Sequence, residues 1–349
     1  MATILDVEKK SGVSRSTISR YLNGKNVREE NRIKIEKAIR ELSYQPNPMA
    51  SGLKTSKTYT VGCVLPEITD PFFPPIIRIF QKKMMEAGYQ TIFNTYGNDF
   101  DQEIEQVRTL ANKRVDGLVV ATSNSDGSHI QKCLDDGLPV VLLDRLIEGL
   151  VCDNVTVDNY QSVFDAITLA IRMGHKKIGY IKGEGLYTDG VRFKGYHDAL
   201  INNNIELRGD FVVQAELIEH DSARQFMRLM NLTDPPTLIF CSNVYHSMGA
   251  LEAMLEYQLN IPDDVSIMAF DRVASFPYLG FVESINPQFT SISQPLEDIG
   301  KQTASLLLSR LENGMKNYAP RSIELKTSFN MTDSVLNLSL DLNKTVNRR

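Results

Sequence analysis

Histidine and cysteine are scarce in this 349-residue chain, and the chemistry that depends on them is correspondingly thin. The five histidines form no His-Glu-x-x-His pair, and the four cysteines (Cys63, Cys133, Cys152, Cys241) contain no Cys-x-x-Cys. A structural zinc site is therefore not expected, and the cysteines read as reduced, mostly buried small apolar residues. No apolar run is long enough to span a bilayer, and the N-terminus lacks the basic-then-apolar pattern of a secretory leader. A cytoplasmic chain with no membrane partner is expected. Neither a Walker A run nor a Gly-x-Ser-x-Gly elbow occurs. Gly183-Glu184-Gly185 invites a dinucleotide-binding reading, but Thr188 stands where the third glycine belongs. The expectation is a non-enzyme without a cofactor.

What is present is ordinary in bulk and lopsided in charge. A hydrophobic content of 42% with 23% charged residues is enough to bury a large core. The net charge of −5 conceals two halves of opposite sign: residues 1–57 carry twelve Lys and Arg against six Asp and Glu, while the remainder carries twenty-six against thirty-seven. A basic head on an acidic body is what phosphate binding needs, because neutralising DNA phosphates releases counterions.

The head reads as three short helices. Thr3 and Asp6 have capping-box spacing and open a helix through Lys10, with Ile4 and Val7 facing inward. Gly12 suits the turn that follows, and Ser14 is an N-cap candidate for a second helix ending at Asn23-Gly24. A third helix runs from Glu29 to about Ser43, with Ile35, Ala38, Ile39 and Leu42 at core spacing. Two helices around a glycine turn form a helix-turn-helix. In the second helix Ser14, Arg15, Ser16, Thr17, Ser19 and Arg20 surround a single inward residue, Ile18. So polar a helix is a poor independent helix former, and its composition suits contact with phosphates and base edges.

The runs Thr3-Ile4-Leu5-Asp6-Val7, Gly12 to Gly24 (GVSRSTISRYLNG) and Ala38 to Asn47 (AIRELSYQPN) resemble the opening of the lactose/galactose repressor family. The resemblance implies that Arg15, Ser16 and Arg20 read base edges while Ser14, Thr17, Ser19 and Asn23 hold phosphates. Arginine is also the side chain best shaped for bidentate contact with guanine. Residues 46–57 then correspond to a hinge helix whose leucine, matched by Leu53, wedges into the minor groove and kinks the duplex. Ser51 and Gly52 depart from the usual Arg and Ser there. Glycine costs about 1 kcal/mol in a helix interior, so this hinge is expected to order less readily.

From Thr58 onward, short apolar runs alternate with helical stretches. Strands are expected at Thr60–Leu65, Thr91–Asn94, Gly117–Ala121, Val140–Asp144, Ile178–Ile181, Thr237–Cys241 and Ser266–Phe270. Helices are expected at Phe80–Ala87, Ile104–Lys113, Gln161–Met173, Val191–Asn203 and His246–Tyr257. The pattern predicts α/β architecture: two doubly wound parallel sheets behind the helix-turn-helix head. Ligands in such sheets sit beyond the carboxyl ends of the strands, which selects the segments at Phe72-Phe73, Thr122-Ser123, Asp144-Arg145 and Asp271, with Arg192 nearby.

The body resembles the same family through Asp70-Pro71-Phe72-Phe73, Val115-Asp116-Gly117-Leu118, Pro139 to Arg145 (PVVLLDR), Gly174 to Gly179 (GHKKIG), Arg192-Phe193-Lys194-Gly195-Tyr196 and Ile261 to Ile267 (IPDDVSI). The resemblance implies two periplasmic-binding-protein-like lobes joined by three crossovers, with a small effector between them. It further implies a homodimer on palindromic double-stranded operator DNA, and repression of a carbohydrate-utilisation operon. By position Phe72, Phe73, Asp144, Arg192, Asn243 and Asp271 match its effector contacts. Asn243-Val244 stands where the family often has Asn-Asp, which removes a carboxylate, so the effector is expected to be held differently or to be less polar. Plainer roles compete: core packing for Phe72 and Phe73, helix capping for Asp144 and Asp271, and a surface ion pair for Arg192.

The expected boundaries are 1–45 for the head, 46–57 for the hinge and 58–335 for the body. One lobe takes about 58–159 and 290–320, the other about 160–289 and 321–335. Residues 336–349 form a tail in which Leu336, Leu338, Leu340 and Leu342 alternate at strand spacing. Two rival readings remain at this stage: a sugar-binding protein with no DNA role, and a cofactor-dependent enzyme. The basic head and the missing leader weigh against the first. The absent nucleophile and phosphate motifs weigh against the second.

Overall fold

The computed structural model describes residues 2–22, 24–44, 57–123, 125–183, 185–271, 288–315 and 319–339. The chain divides into two compact units, residues 1–59 and 60–349. Asn23 and the stretch containing Ser51, Gly52 and Leu53 lie outside the described residues, as do Leu340 and Leu342.

The first unit holds helices α1 (Ile4–Ser11), α2 (Arg15–Leu22) and α3 (Glu29–Glu41). The capping box is formed: Thr3 N donates to Asp6 Oδ2 at 2.9 Å, and Asp6 N donates to Thr3 Oγ1 at 3.4 Å. Gly12 closes α1 at φ 67°, a left-handed conformation that any side chain would strain. The start of α2 differs from expectation. Arg15 N donates to Glu8 Oε1 of α1 at 2.9 Å, whereas the Ser14 hydroxyl pairs with those of Ser16 and Thr17. Glu8 of α1 thus takes the first orphan N–H of α2, which also fixes α2 against α1. Val7, Val13, Ile18, Ile35 and Ala38 form the buried core of this unit, and Ile4, Ile39 and Leu42 pack half-buried around it.

The second unit contains two six-stranded sheets of the same design. In chain order its elements are β1 (Thr60–Leu65), α4 (Phe73–Glu86), β2 (Gln90–Thr95), α5 (Phe100–Asn112), β3 (Gly117–Val120), α6 (Ser128–Asp135), β4 (Val140–Leu143), β5 (Asp153–Val157) and α7 (Asn159–Arg172). The chain continues through β6 (Ile178–Lys182), α8 (Tyr187–Asn202), β7 (Val212–Gln214), α9 (Glu219–Met230), β8 (Leu238–Cys241), α10 (Val244–Glu256), β9 (Ser266–Phe270), β10 (Thr290–Ser293), α11 (Leu296–Asn313), β11 (Ser322–Leu325) and β12 (Ser328–Asn330).

The first sheet is ordered β11-β5-β4-β3-β1-β2 and the second β12-β10-β9-β8-β6-β7. Only β12 runs antiparallel among the described pairs. The central strands are buried along their whole length, as strands covered on both faces by helices must be. The equal strand order makes β1 the counterpart of β6, β3 of β8, β4 of β9 and β5 of β10. Loops after counterpart strands therefore meet from opposite lobes.

The sheet order corrects the expected lobe boundaries. Thr290–Ser293 pairs with β9 and belongs to the second lobe, while α11, directly after it, packs on α4 and on β3 to β5 of the first. Ser322–Leu325 pairs with β5 in the first lobe, and Ser328–Asn330 returns to the second. The chain thus crosses between lobes three times, near residues 158, 295 and 326. Each late strand is only three or four residues long, and its partner lies far away in sequence, so local pattern gave no means of assigning it to a sheet.

Candidate functional site

The C-terminal ends of both sheets face a cleft of about 430 Å³. The first lobe contributes Asp70, Phe72, Asp144 and Arg145. The second contributes Leu186, Thr188, Asp189, Arg192, Leu217, Asn243, Val244, Tyr245 and Asp271, and Gln294 enters from the second crossover. Counterpart positions carry like chemistry: Asp70 and Asp189 follow β1 and β6, while Asp144 and Asp271 directly follow β4 and β9.

Asp144 and Asp271 share a local conformation. Both have positive φ, 67° and 72°, a region where aspartate is tolerated better than most side chains. Each is pinned to the neighbouring strand by its own N–H, Asp144 to Val155 O and Asp271 to Ile292 O, both at 2.9 Å. The chain turns out of the sheet there, and the carboxylate sits at the cleft instead of continuing the pleat. No helix begins among the described residues directly after Asp144, so helix capping does not account for it.

Arg192 is one turn into α8, 4% exposed, and held on three sides. Its Nε donates to Asn159 Oδ1 at 2.7 Å, one terminal nitrogen donates to Ser242 O at 2.8 Å, and its guanidinium lies 3.5 Å from the Phe270 ring centroid. A surface ion pair does not describe it. Arg145, 5% exposed, donates to Thr122 O at 3.2 Å and lies 3.6 Å from Asp144 Oδ2. Two guanidiniums thus face four carboxylates. Burial pushes the carboxyls of Asp70 and Asp271 up to about 6. It also raises those of Asp144 and Asp189, opposed chiefly by Arg145 at the first and Arg192 at the second.

The aromatic pair divides. Phe72 lines the cleft, with its N–H donating to Asp70 Oδ1 at 2.9 Å. Phe73 is fully buried at the start of α4, edge-on to Phe72 at 5.1 Å, and belongs to the core. The expectation that both line a cleft is corrected for Phe73, which does not reach it. Pro74 and Pro75 sit in the first turn of α4, and their fixed φ starts the helix one residue past Phe72. Asn243 both lines the cleft and caps α10, its Oδ1 accepting from His246 N at 3.0 Å.

Sequence reasoning left Asp70, Asp189 and Gln294 unassigned, and picked out Arg145 only as part of a strand-end segment, not as an effector contact. The strand-end rule that selects Asp144 also covers Asp70 and Arg145. Asp189 lies inside a helix, where no local signal marks it. The acidic residue missing at position 244 does not leave the cleft short of carboxylates, because Asp189 brings one from α8.

In the first unit Ser14, Arg15, Ser16 and Arg20 are exposed along α2, with Thr17 and Ser19 half-buried and Ile18 buried beneath them. Arg20 donates to Asn26 O at 3.3 Å, which tethers its guanidinium over the turn after α2. No helix of the described residues is long and apolar enough to cross a membrane, and they hold no group of three or more His, Cys, Asp or Glu able to bind a metal.

Residues 3–47 match the family model for bacterial regulatory proteins of the lacI family. Residues 58–329 match the model for periplasmic binding proteins and the sugar-binding domain of the LacI family. The chain is 32% identical over 353 residues to the transcriptional repressor PurR of Photobacterium profundum, covering 97% of this chain and 100% of that protein. It is 30% identical over 308 residues to catabolite control protein A of Priestia megaterium, covering 87% and 91%. Among solved structures, the Lac repressor dimer bound to operator and the anti-inducer ONPF is similar with a TM-score of 0.82 at 21% identity, covering 96% of this chain and 99% of that one. The regulator CelR in complex with cellobiose gives 0.70 at 24% identity, covering 96% and 100%. These relatives are regulators of transcription and not enzymes. The chain belongs to the LacI family of bacterial DNA-binding transcription regulators.

Proposed function

We propose that this protein is a cytoplasmic, non-catalytic repressor that binds a palindromic operator as a homodimer and is controlled by a small, neutral, sugar-like effector. The observation that carries the effector reading is the cleft. Carboxylates at counterpart strand ends of two lobes, two buried arginines and one aromatic wall converge on a space of about 430 Å³. Carboxylates and guanidiniums together suit hydroxyl groups, which donate and accept at once. Four carboxylates against two guanidiniums disfavour phosphates and sugar acids.

Ser14, Arg15, Ser16, Thr17, Ser19, Arg20 and Asn23 are the proposed DNA contacts of the head, with Leu53 as the minor-groove wedge. Support for the head comes from the +6 formal charge of residues 1–57 and from the exposed polar face of α2. Asp144, Arg192, Asn243, Asp271 and Phe72 are the proposed effector contacts. An effector that prefers one lobe arrangement shifts the population towards it, and operator affinity follows by the same coupling.

The test is a thermal-shift screen of neutral sugars, sugar phosphates, nucleosides and purines on the full chain, followed by operator-binding titrations with each hit. A neutral sugar that raises the midpoint and changes operator affinity is the expected result. A response confined to purines or phosphorylated compounds overturns the sugar assignment.

A further inference from the structure

Four carboxylates line the cleft, and the surroundings of Asp189 set it apart. Asp70 takes a backbone N–H from Phe72, and Asp271 Oδ1 accepts from Gln294 Nε2 at 2.8 Å. Asp189 is 5% exposed and fixed through one oxygen: Oδ1 accepts from the Ser242 hydroxyl at 3.3 Å. The other oxygen, Oδ2, is buried without a well-aligned donor, and the Gly183 backbone beside the carboxylate only partly offsets its burial. Gly183 makes room beside it, since a Cβ at that position would lie 2.3 Å from Oδ2. Buried polar atoms without a partner are rare, and a carboxylate oxygen is among the costliest to leave so.

The anchoring behind Asp189 is directional. Ser242 Oγ also lies 3.1 Å from His246 Nδ1, and His246 Nε2 lies 3.3 Å from Asn243 Nδ2. Burial pushes the His246 imidazole down to about 3, so the ring is neutral. Asn243 Nδ2 can only donate, so Nε2 accepts and Nδ1 carries the proton to Ser242 Oγ. The serine hydroxyl is then committed to Asp189 Oδ1. Such a chain holds the carboxylate in one orientation while Oδ2 stays without a well-aligned donor. Across the cleft Arg145 Nε is also buried without a hydrogen bond, its nearest carboxylate oxygen being 3.6 Å away. One group wants a donor and the other an acceptor.

We propose that Asp189 is a specificity-determining residue of the cleft, whose Oδ2 takes the proton of one effector hydroxyl while Arg145 donates to an oxygen of the same molecule. This assignment rests on the cleft being the effector site. It deepens that reading by placing recognition of one hydroxyl on a helix of the second lobe, held by Ser242 and His246 from behind. A site built to hydrogen-bond a hydroxyl rejects the analogue lacking it, because the buried partner is left unmet.

The experiment compares the wild-type chain with Asp189→Asn by calorimetric titration of the best neutral sugar from the screen and its monodeoxy analogues. In the wild type, removal of one particular hydroxyl weakens binding tenfold or more. In Asp189→Asn the parent sugar binds at least tenfold more weakly, and the same deoxy analogue loses no more than twofold relative to it. Without ligand, Asp189→Asn melts at the same temperature or higher, because an unmet buried charge has been removed. Ser242→Ala, which frees the carboxylate, weakens binding less than Asp189→Asn does. Asp189→Asn with unchanged affinity and an unchanged deoxy profile overturns the assignment and leaves the effector site standing. A ligand-free midpoint lowered by several degrees with affinity retained shows a packing role instead. A wild-type chain that binds no compound of any class removes the effector reading itself, and the assignment with it.

Discussion

The guanidinium of Arg192 lies 3.5 Å from the centre of the Phe270 ring, and Phe270 is the last residue of the strand that delivers Asp271. One side chain of α8 thereby joins the end of β9, the first crossover through Asn159 and the end of β8 through Ser242 O. Lysine keeps the charge but has neither the planar fork nor the stacking face. Arg192→Lys is expected to lose the effector response, with affinity weakened tenfold or more. Arg192→Ala, which leaves Asn159 Oδ1 and Ser242 O without their donor and removes the charge opposing the burial of Asp189 and Asp271, is expected to cost about 1–3 kcal/mol of stability. Urea unfolding and ligand titration of both variants check this. A lysine variant indistinguishable from the wild type would remove Arg192 from the site.

On the DNA side, Arg15 is exposed at the first turn of α2 with its backbone N–H fixed by Glu8. Arg15→Ala is expected to cost about 1–3 kcal/mol of operator binding and to relax preference at one operator position. Ser14→Ala, at a proposed phosphate contact, should weaken binding evenly across sequences. Binding-site selection with each variant separates the two outcomes. Unchanged base preference in Arg15→Ala would exclude a base-reading role.

Much of this arrangement is legible in sequence, and the exceptions have physical causes. β1 and β9 follow the apolar pattern to the residue, because each is buried along nearly its whole length. β5 does not, since it opens with Asp153-Asn154, polar residues whose partners are far along the chain. α4 begins seven residues before its helical periodicity suggests, under cover of a Phe-Phe-Pro-Pro run. In the cleft, the strand-end rule locates Asp144 and Asp271 because strand ends can be read locally. Asp189 escapes it, because its place is set by tertiary contact with Ser242 and by the absent Cβ of Gly183.

Stability should carry the signature of the cleft's acids. Burial raises the Asp271 carboxyl to about 6 from an ordinary value of 3.8, with Arg192 as the main opposing influence. The folded state therefore holds this proton more tightly than the unfolded chain does. Below pH 3.8 both states are protonated and the residue is neutral to stability. As pH rises through 6 the ionised, buried form is imposed, and stability falls by about 3 kcal/mol. Asp271→Asn removes this dependence, so its stability relative to the wild type should climb between pH 4 and 6 and then level off. Urea midpoints of both chains across that window test the sign. A difference that is flat or falls with pH contradicts it.

The last prediction concerns the edge of the first sheet. Asp153 is completely buried, and Arg310 of α11 grips it with two bonds, Nε to Oδ2 at 2.7 Å and a terminal nitrogen to Oδ1 at 2.9 Å. Arg321 N, directly before β11, donates to the same Oδ1 at 2.7 Å. One carboxylate at the start of β5 therefore fastens both a helix and the edge strand that returns after the second crossover. Arg310→Ala leaves that charge buried and is expected to cost about 3–5 kcal/mol. Asp153→Asn keeps an acceptor for Arg321 N and should cost less. The two substitutions together should cost clearly less than the sum of the singles, because each removes the same coupled pair. Urea unfolding of the four chains in this cycle measures the coupling. Additive costs would show that Arg310 and Asp153 act independently.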